Sequence, residues 1–221
     1  MEIKLNCQSS IRIKSNITVY FDPYLIKDES HDADYIFITH DHYDHFDLDS
    51  INNIRNDNTV IILPDSMKDK LEESNKIIGV EPNNHYDING ISFDTIPSYN
   101  TNKTFHQKAF GWVGYLLKLE NKIIYVAGDT DITEENKQVK CDIAFVPIGG
   151  TYTMDYKEAA ELINIIKPSL AIPTHYFTIV GTREDAESFK KLLNDDIECN
   201  IVMEWYYGKR RNNKKRIIWY N

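Results

Sequence analysis

The sequence predicts an α/β chain, and two observations predict it. The first forty residues break into short strand-like runs, and afterwards strand-like runs alternate with segments of helical spacing in two successive blocks. Each block ends a strand on polar, chemistry-bearing residues, the position at which α/β proteins commonly build sites. At 221 residues the chain has enough material for one large core, so a single domain over 1–221 is expected.

Taken in order, residues 3–7, 11–14 and 17–21 read as short strands. A fourth, 35–39, runs straight into the stretch Ile38-Thr39-His40-Asp41-His42-Tyr43-Asp44-His45-Phe46-Asp47. Residues 47–54 suit a helix with an aspartate at its positive end, 59–63 is an apolar strand, and Asp65 is placed to cap a helix through Leu71. Residues 86–88 and 91–96 form a hairpin, because Asn89-Gly90 tolerates the positive φ angles of a two-residue turn. A second hairpin spans 112–119 and 122–127 around Glu120-Asn121, and Gly128-Asp129-Thr130 follows it as a polar turn. Residues 142–147 are a strand, and 155–166 a helix with Ala159, Leu162, Ile163 and Ile166 at helical spacing. Residues 170–173 form a strand ending at Thr174-His175; a helix over 183–193 and strands over 201–205 and 216–220 complete the chain.

Hydrophobic residues make up 42% and charged residues 27%, an ordinary globular balance, and no apolar run is long enough to cross a bilayer. The N-terminus lacks the apolar centre of a secretory signal. Cys7, Cys141 and Cys199 are scattered, which argues against a disulfide framework or a cysteine zinc knuckle and favours the reducing cytoplasm. A net charge of −9 counts against nucleic acid as the main partner, since that affinity comes from Lys and Arg neutralising phosphates. The basic residues Lys209, Arg210, Arg211, Lys214, Lys215 and Arg216 read as a solvated hairpin tip.

Chemistry concentrates in "HDHYDH". His40 and His42 stand two apart, so on an extended segment they point the same way and can grip one ion. Asp44 and His45 follow in a turn and are free to face a second. Nitrogen and oxygen donors without thiolate suit zinc, with manganese or iron as alternatives. A lone aspartate or histidine after a strand is usually a cap or a packed residue. Asp129 in "YVAGDTD" and His175 in "AIPTHY" become candidate ligands because they accompany the first cluster.

With these residues in hand, the chain resembles the metallo-β-lactamase superfamily of metal-dependent hydrolases. Its His-x-His-x-Asp-His signature matches His40, His42, Asp44 and His45; "GDT" at 128–130 is similar to its bridging aspartate and "PTHY" at 173–176 to its last histidine ligand. "FDPY" (21–24), "GWVGYLL" (111–117), "PIGGTYTMDYKEA" (147–159) and "PTHYFTIVG" (173–181) resemble the branch that holds ascorbate-6-phosphate lactonase and the phospholipase D of N-acyl-phosphatidylethanolamines. The resemblance implies a four-layer αββα sandwich and two divalent ions, zinc foremost. His40 and His42 would hold the first ion, Asp44, His45 and His175 the second, and Asp129 would bridge them; Asp44, Asp129 and His175 are the residues it assigns to catalysis. Many relatives supply a further histidine to the first ion. His106 in "IPSYNTNKTFH" is the choice here, with Asn100, a vacant or water-filled position, and His85 as alternatives, whereas His31 reads as a surface residue.

Around that set, Asp22 is a candidate to hydrogen-bond a ligand imidazole, against a plain turn aspartate before Pro23. Tyr176 reads as a packed tyrosine rather than an oxyanion donor, and Lys103, Lys108 and Arg183 are candidates to meet an acidic substrate group. The expected activity is hydrolysis of an ester, lactone or phosphodiester of a small molecule by metal-activated water. A nuclease of the same fold and a non-catalytic metal- or ligand-binding protein are the rival readings, and oligomeric state has no signature in the chain.

Overall fold

A computed structural model describes residues 1–72, 76–203 and 218–219, the last two by backbone alone. The chain divides into two compact units, Met1–Val80 with Val202–Asn221, and Glu81–Ile201.

In the first unit, β1 (Glu2–Leu5), β2 (Ile11–Lys14), β3 (Thr18–Phe21), β4 (Tyr35–Phe37), β5 (Val60–Pro64) and β6 (Ile77–Val80) lie side by side in that order. A terminal strand, Ile218–Trp219, adds antiparallel to β1. The β1–β3 part is antiparallel and β3–β6 is parallel. β2 alternates buried Ile11 and Ile13 with outward Arg12 and Lys14, whereas β4 and β5 are buried at every residue, as parallel strands covered on both faces must be. α1 (Leu48–Ile54) starts at Asp47, whose side chain accepts the Asp49 N–H. Ile51 and Ile54 of α1 pack with Ile36, Ile38, Ile61, Leu63 and Met67 into this unit's core.

One helix differs from expectation. Asp65–Lys70 is a 3₁₀ helix and Asp65 does not cap it; its carboxylate instead reaches Lys68 at 3.3 Å, the i,i+3 neighbour that three residues per turn bring together. β6 carries too short an apolar run to stand out in the sequence.

In the second unit, β7 (His85–Ile88), β8 (Ile91–Pro97), β9 (Val113–Leu119), β10 (Lys122–Val126), β11 (Ile143–Pro147), β12 (Leu170–Thr174) and β13 (Glu198–Cys199) form one sheet in chain order. β7–β10 are antiparallel and β10–β13 parallel. Asn89 (φ 50°) and Gly90 (φ 92°) make the expected tight turn. β8 buries every second residue from Ile91 to Pro97. α2 (Tyr156–Ile166) and α3 (Arg183–Leu192) both begin with reciprocal capping boxes, Asp155 with Glu158 and Thr182 with Asp185. Of the strand expected at 201–205, the described residues 201–203 carry none, and β13 pairs with β12 at Glu198–Cys199 instead. The rest of that segment, with the basic residues at 209–216, lies outside the described residues.

Candidate functional site

In the first unit the His-rich run leaves the C-terminal end of β4, and Asp22, at the end of β3, organises it. Asp22 takes a left-handed backbone (φ 43°) and is fully buried. Its Oδ1 accepts the Thr39 N–H at 2.8 Å; its Oδ2 accepts the Thr39 hydroxyl at 2.7 Å and His45 Nδ1–H at 2.7 Å. Because the Thr39 proton is given to Asp22, its Oγ1 is left to accept His40 Nδ1–H at 2.9 Å. This network assigns the protons of both rings to Nδ1, which makes Nε2 the lone-pair nitrogen of His40 and His45, the tautomer in which an imidazole can ligate an ion. His40 Nε2 stands 3.1 Å from His42 Nδ1, and His45 Nε2 3.8 Å from Asp44 Oδ2. Burial pushes the Asp22 carboxyl above its usual range, with His45 and Thr39 pulling it down.

Gln8 had no signal in the sequence. It is fully buried, holds a left-handed backbone (φ 50°), and donates its Nε2–H to Asp44 Oδ2 at 3.1 Å. Only the return of the β1–β2 turn to the His-rich run makes the contact, and no spacing rule reports such a return.

In the second unit, two candidate imidazoles converge on the carboxylate of the third candidate, Asp129. His106 Nε2 lies 3.4 Å and His175 Nε2 3.1 Å from Asp129 Oδ2, and all three side chains are buried. Asp129 follows β10 after Gly128 (φ 66°), with its carbonyl held by the Ser98 hydroxyl at 2.9 Å. His106 is turned by Asn100, whose Oδ1 accepts both the His106 N–H and Nδ1–H at 3.0 Å, while its amide nitrogen donates to the Tyr152 carbonyl at 2.9 Å. Asn100 therefore orients the imidazole and spends both ends of its amide on protein. His175 ends β12 in a left-handed conformation (φ 54°). Gly149 makes room for it: a Cβ there would lie 2.6 Å from the His175 carbonyl oxygen and 3.1 Å from its Nδ1.

Donors on one zinc ion with bonds of about 2.0–2.1 Å at tetrahedral angles stand roughly 3.3 Å apart. The His40–His42, His106–Asp129 and His175–Asp129 separations each match that spacing, so each is a pair of donors that could share a divalent ion.

The remaining candidates lie elsewhere or are engaged. His85 is exposed between Asp94 (2.7 Å) and Asp87 (3.3 Å), and exposed His31 faces the Arg55 carbonyl at 2.8 Å. Lys103 is bound to Asp131 at 2.5 Å and Lys108 to Glu135 at 2.6 Å. Arg183 opens α3 on the surface, and Tyr176 is packed in the interior.

Comparison with known proteins agrees with this chemistry. The family profile of the β-lactamase superfamily domain matches residues 3–175. The UPF0173 metal-dependent hydrolase of Nanoarchaeum equitans is 30% identical over 91% of this chain and 100% of its own length. That of Thermoplasma acidophilum is 32% identical over 79% of this chain and 82% of its own. Among solved structures, the metallo hydrolase Igni18 of Ignicoccus hospitalis covers 91% of this chain and 94% of its own at a TM-score of 0.74 and 21% identity, a likeness of fold. The fold class is thus the α/β sandwich of the metallo-β-lactamase type. The chain belongs to the β-lactamase superfamily, among its UPF0173 metal-dependent hydrolases.

Proposed function

We propose that the two strand-end clusters are the two halves of one dinuclear centre, and that the protein uses it to hydrolyse an ester, lactone or phosphodiester of a small molecule. His40, His42 and His106 would serve one ion, Asp44, His45 and His175 the other, and Asp129 would bridge them, as the signature implies. The observation that carries this reading is the approach of His106 Nε2 and His175 Nε2 to the same oxygen of Asp129, as expected of a carboxylate serving two ions. A single family profile spanning residues of both units supports one functional domain.

Zinc, or manganese or iron in its place, would supply Lewis acidity at the scissile oxygen and lower the pKa of a coordinated water. The chain's own residues do the rest. Asp22 and Thr39 hold the His45 and His40 protons on Nδ1, Gln8 fixes the rotamer of Asp44, and Asn100 does the same for His106. Asp44, held by Gln8, is the residue that would orient the attacking water. The three cysteines are not paired in disulfides, and among the described residues no helix is long and apolar enough to cross a membrane; a cytoplasmic setting suits both.

Elemental analysis of metal-replete protein tests the reading. Close to two ions per chain are expected, falling with loss of hydrolysis in Asp129→Ala. A replete stoichiometry well under one, or near wild-type rates in that variant, refutes the dinuclear mechanism.

A further inference from the structure

The loop that carries His106 has an unusual surface. Phe105, immediately before it, and Phe110, four residues after, are exposed at 45% and 39%. Neither ring is loose: Phe105 stands edge-on to Tyr152 at 4.8 Å and Phe110 leans on Trp112 at 4.8 Å, while Trp112 is edge-on to His106 at 5.6 Å. Asn100 ties the loop to the Tyr152 carbonyl as well as to His106. Rings held in place before a ligand arrives lose little conformational freedom on binding. The loop's charge is meanwhile cancelled, because Lys103 and Lys108 are bound to Asp131 and Glu135 and Lys108 also lies over the Tyr99 ring at 4.7 Å. In the first unit, within the signature itself, Tyr43 between His42 and Asp44 is also exposed, edge-on to Tyr24 at 6.0 Å.

We infer that the substrate is an uncharged carboxylic ester or lactone whose acyl part is apolar, with Phe105 and Phe110 as its seat beside His106. The inference rests on the hydrolytic reading above and deepens it. A phosphorylated sugar would need cations that this loop has already committed to carboxylates, whereas an alkyl or aryl acyl chain gains from every carbon laid on the rings. In the reaction the water oxygen bonds to the acyl carbon and the acyl C–O bond breaks. The alcohol leaves with one of the water's protons, and the other goes to solvent as the acid ionises.

The test uses the full chain loaded with zinc and a series of p-nitrophenyl esters from acetate to octanoate, with bis(p-nitrophenyl) phosphate and glucose 6-phosphate beside them. The leaving group is constant across the esters, so the slope reports the acyl chain. kcat/KM is expected to rise roughly threefold to fourfold for each methylene that reaches the rings. Phe105→Ala and Phe110→Ala flatten that slope, and Ile165→Ala, a change to an exposed apolar residue of α2, keeps it. A rate independent of chain length, or a phosphodiester preferred and insensitive to Phe105→Ala, overturns the inference while leaving a hydrolase. Calorimetry with octanamide separates the remaining cases. Binding that Phe105→Ala weakens, without turnover of any ester, upholds the apolar seat and refutes the hydrolytic reading; no binding, or tighter binding of glucose 6-phosphate, refutes the seat.

Discussion

Replacing Asp22 by asparagine tests how the His-rich run is held, because size is kept while one acceptor becomes a donor. One end of the new amide still accepts the Thr39 N–H, as Oδ1 does at 2.8 Å. The other end presents an NH₂ group to the Thr39 hydroxyl and to His45 Nδ1, both of which donate to Oδ2 at 2.7 Å in the native chain. The clash of donors is relieved if His45 moves its proton to Nε2, the atom needed for an ion. Loss of such an outer partner costs 10- to 100-fold in metal affinity, or about 1.4–2.7 kcal/mol. Stability responds less. Burial pushes the Asp22 carboxyl up, so its ionised form is held at a cost that the amide removes, while charge-assisted hydrogen bonds of about 1.5–3 kcal/mol each are weakened. These terms oppose, and the metal-free Asp22→Asn variant is expected to melt within a few degrees of wild type. Zinc titration against a chromophoric chelator, paired with a thermal melt of the metal-free protein, reads both quantities. Unchanged zinc affinity with a large fall in Tm would show that Asp22 only braces the fold, and the assignment of ring protons given above would be wrong.

Two further outcomes follow from single contacts. Gly149→Ala drives a Cβ to 2.6 Å from backbone oxygen of His175, where no flexible side chain can yield; it should cost about 1–3 kcal/mol in chemical denaturation and weaken zinc binding, and a neutral effect on both would mean that the 148–150 loop shifts freely. His85 should titrate above the ordinary histidine range by NMR, chiefly through its hydrogen bond to Asp94, so what little stability it lends is present at low pH and lost as pH rises through its folded-state pKa. Asp94→Asn should bring the midpoint down, and an unmoved midpoint would assign the shift elsewhere.

Much of the fold was legible because it is local. Alternation in β2 and β8, the Asn89-Gly90 turn, the aspartate at the start of α1 and the apolar spacing of α2 each state their conformation within a few residues. The strand-end positions of the His-rich run, Asp129 and His175 were legible for the same reason. What stayed hidden depends on approach through space. Gln8 and Gly149 matter through one partner each, 36 and 26 residues away in sequence, and neither residue type advertises it. The 3₁₀ helix at Asp65–Lys70 carries the composition of an α-helix start, and its tighter winding shows only in the backbone. β13 was missed because Glu198–Cys199 has no periodicity and pairs through β12.

Asp22, His175 and Gln8 share left-handed backbone, which glycine or asparagine would occupy at less expense. A sequence optimised for stability alone would drift toward those residues at all three positions. A designer who stabilises this scaffold by consensus with backbone preference would therefore erase the histidine, its partner carboxylate and the amide behind Asp44 first, producing a better-behaved protein that binds nothing. The same reasoning makes unfavourable φ angles under polar side chains a search criterion for sites in relatives whose ligand motifs have diverged beyond recognition.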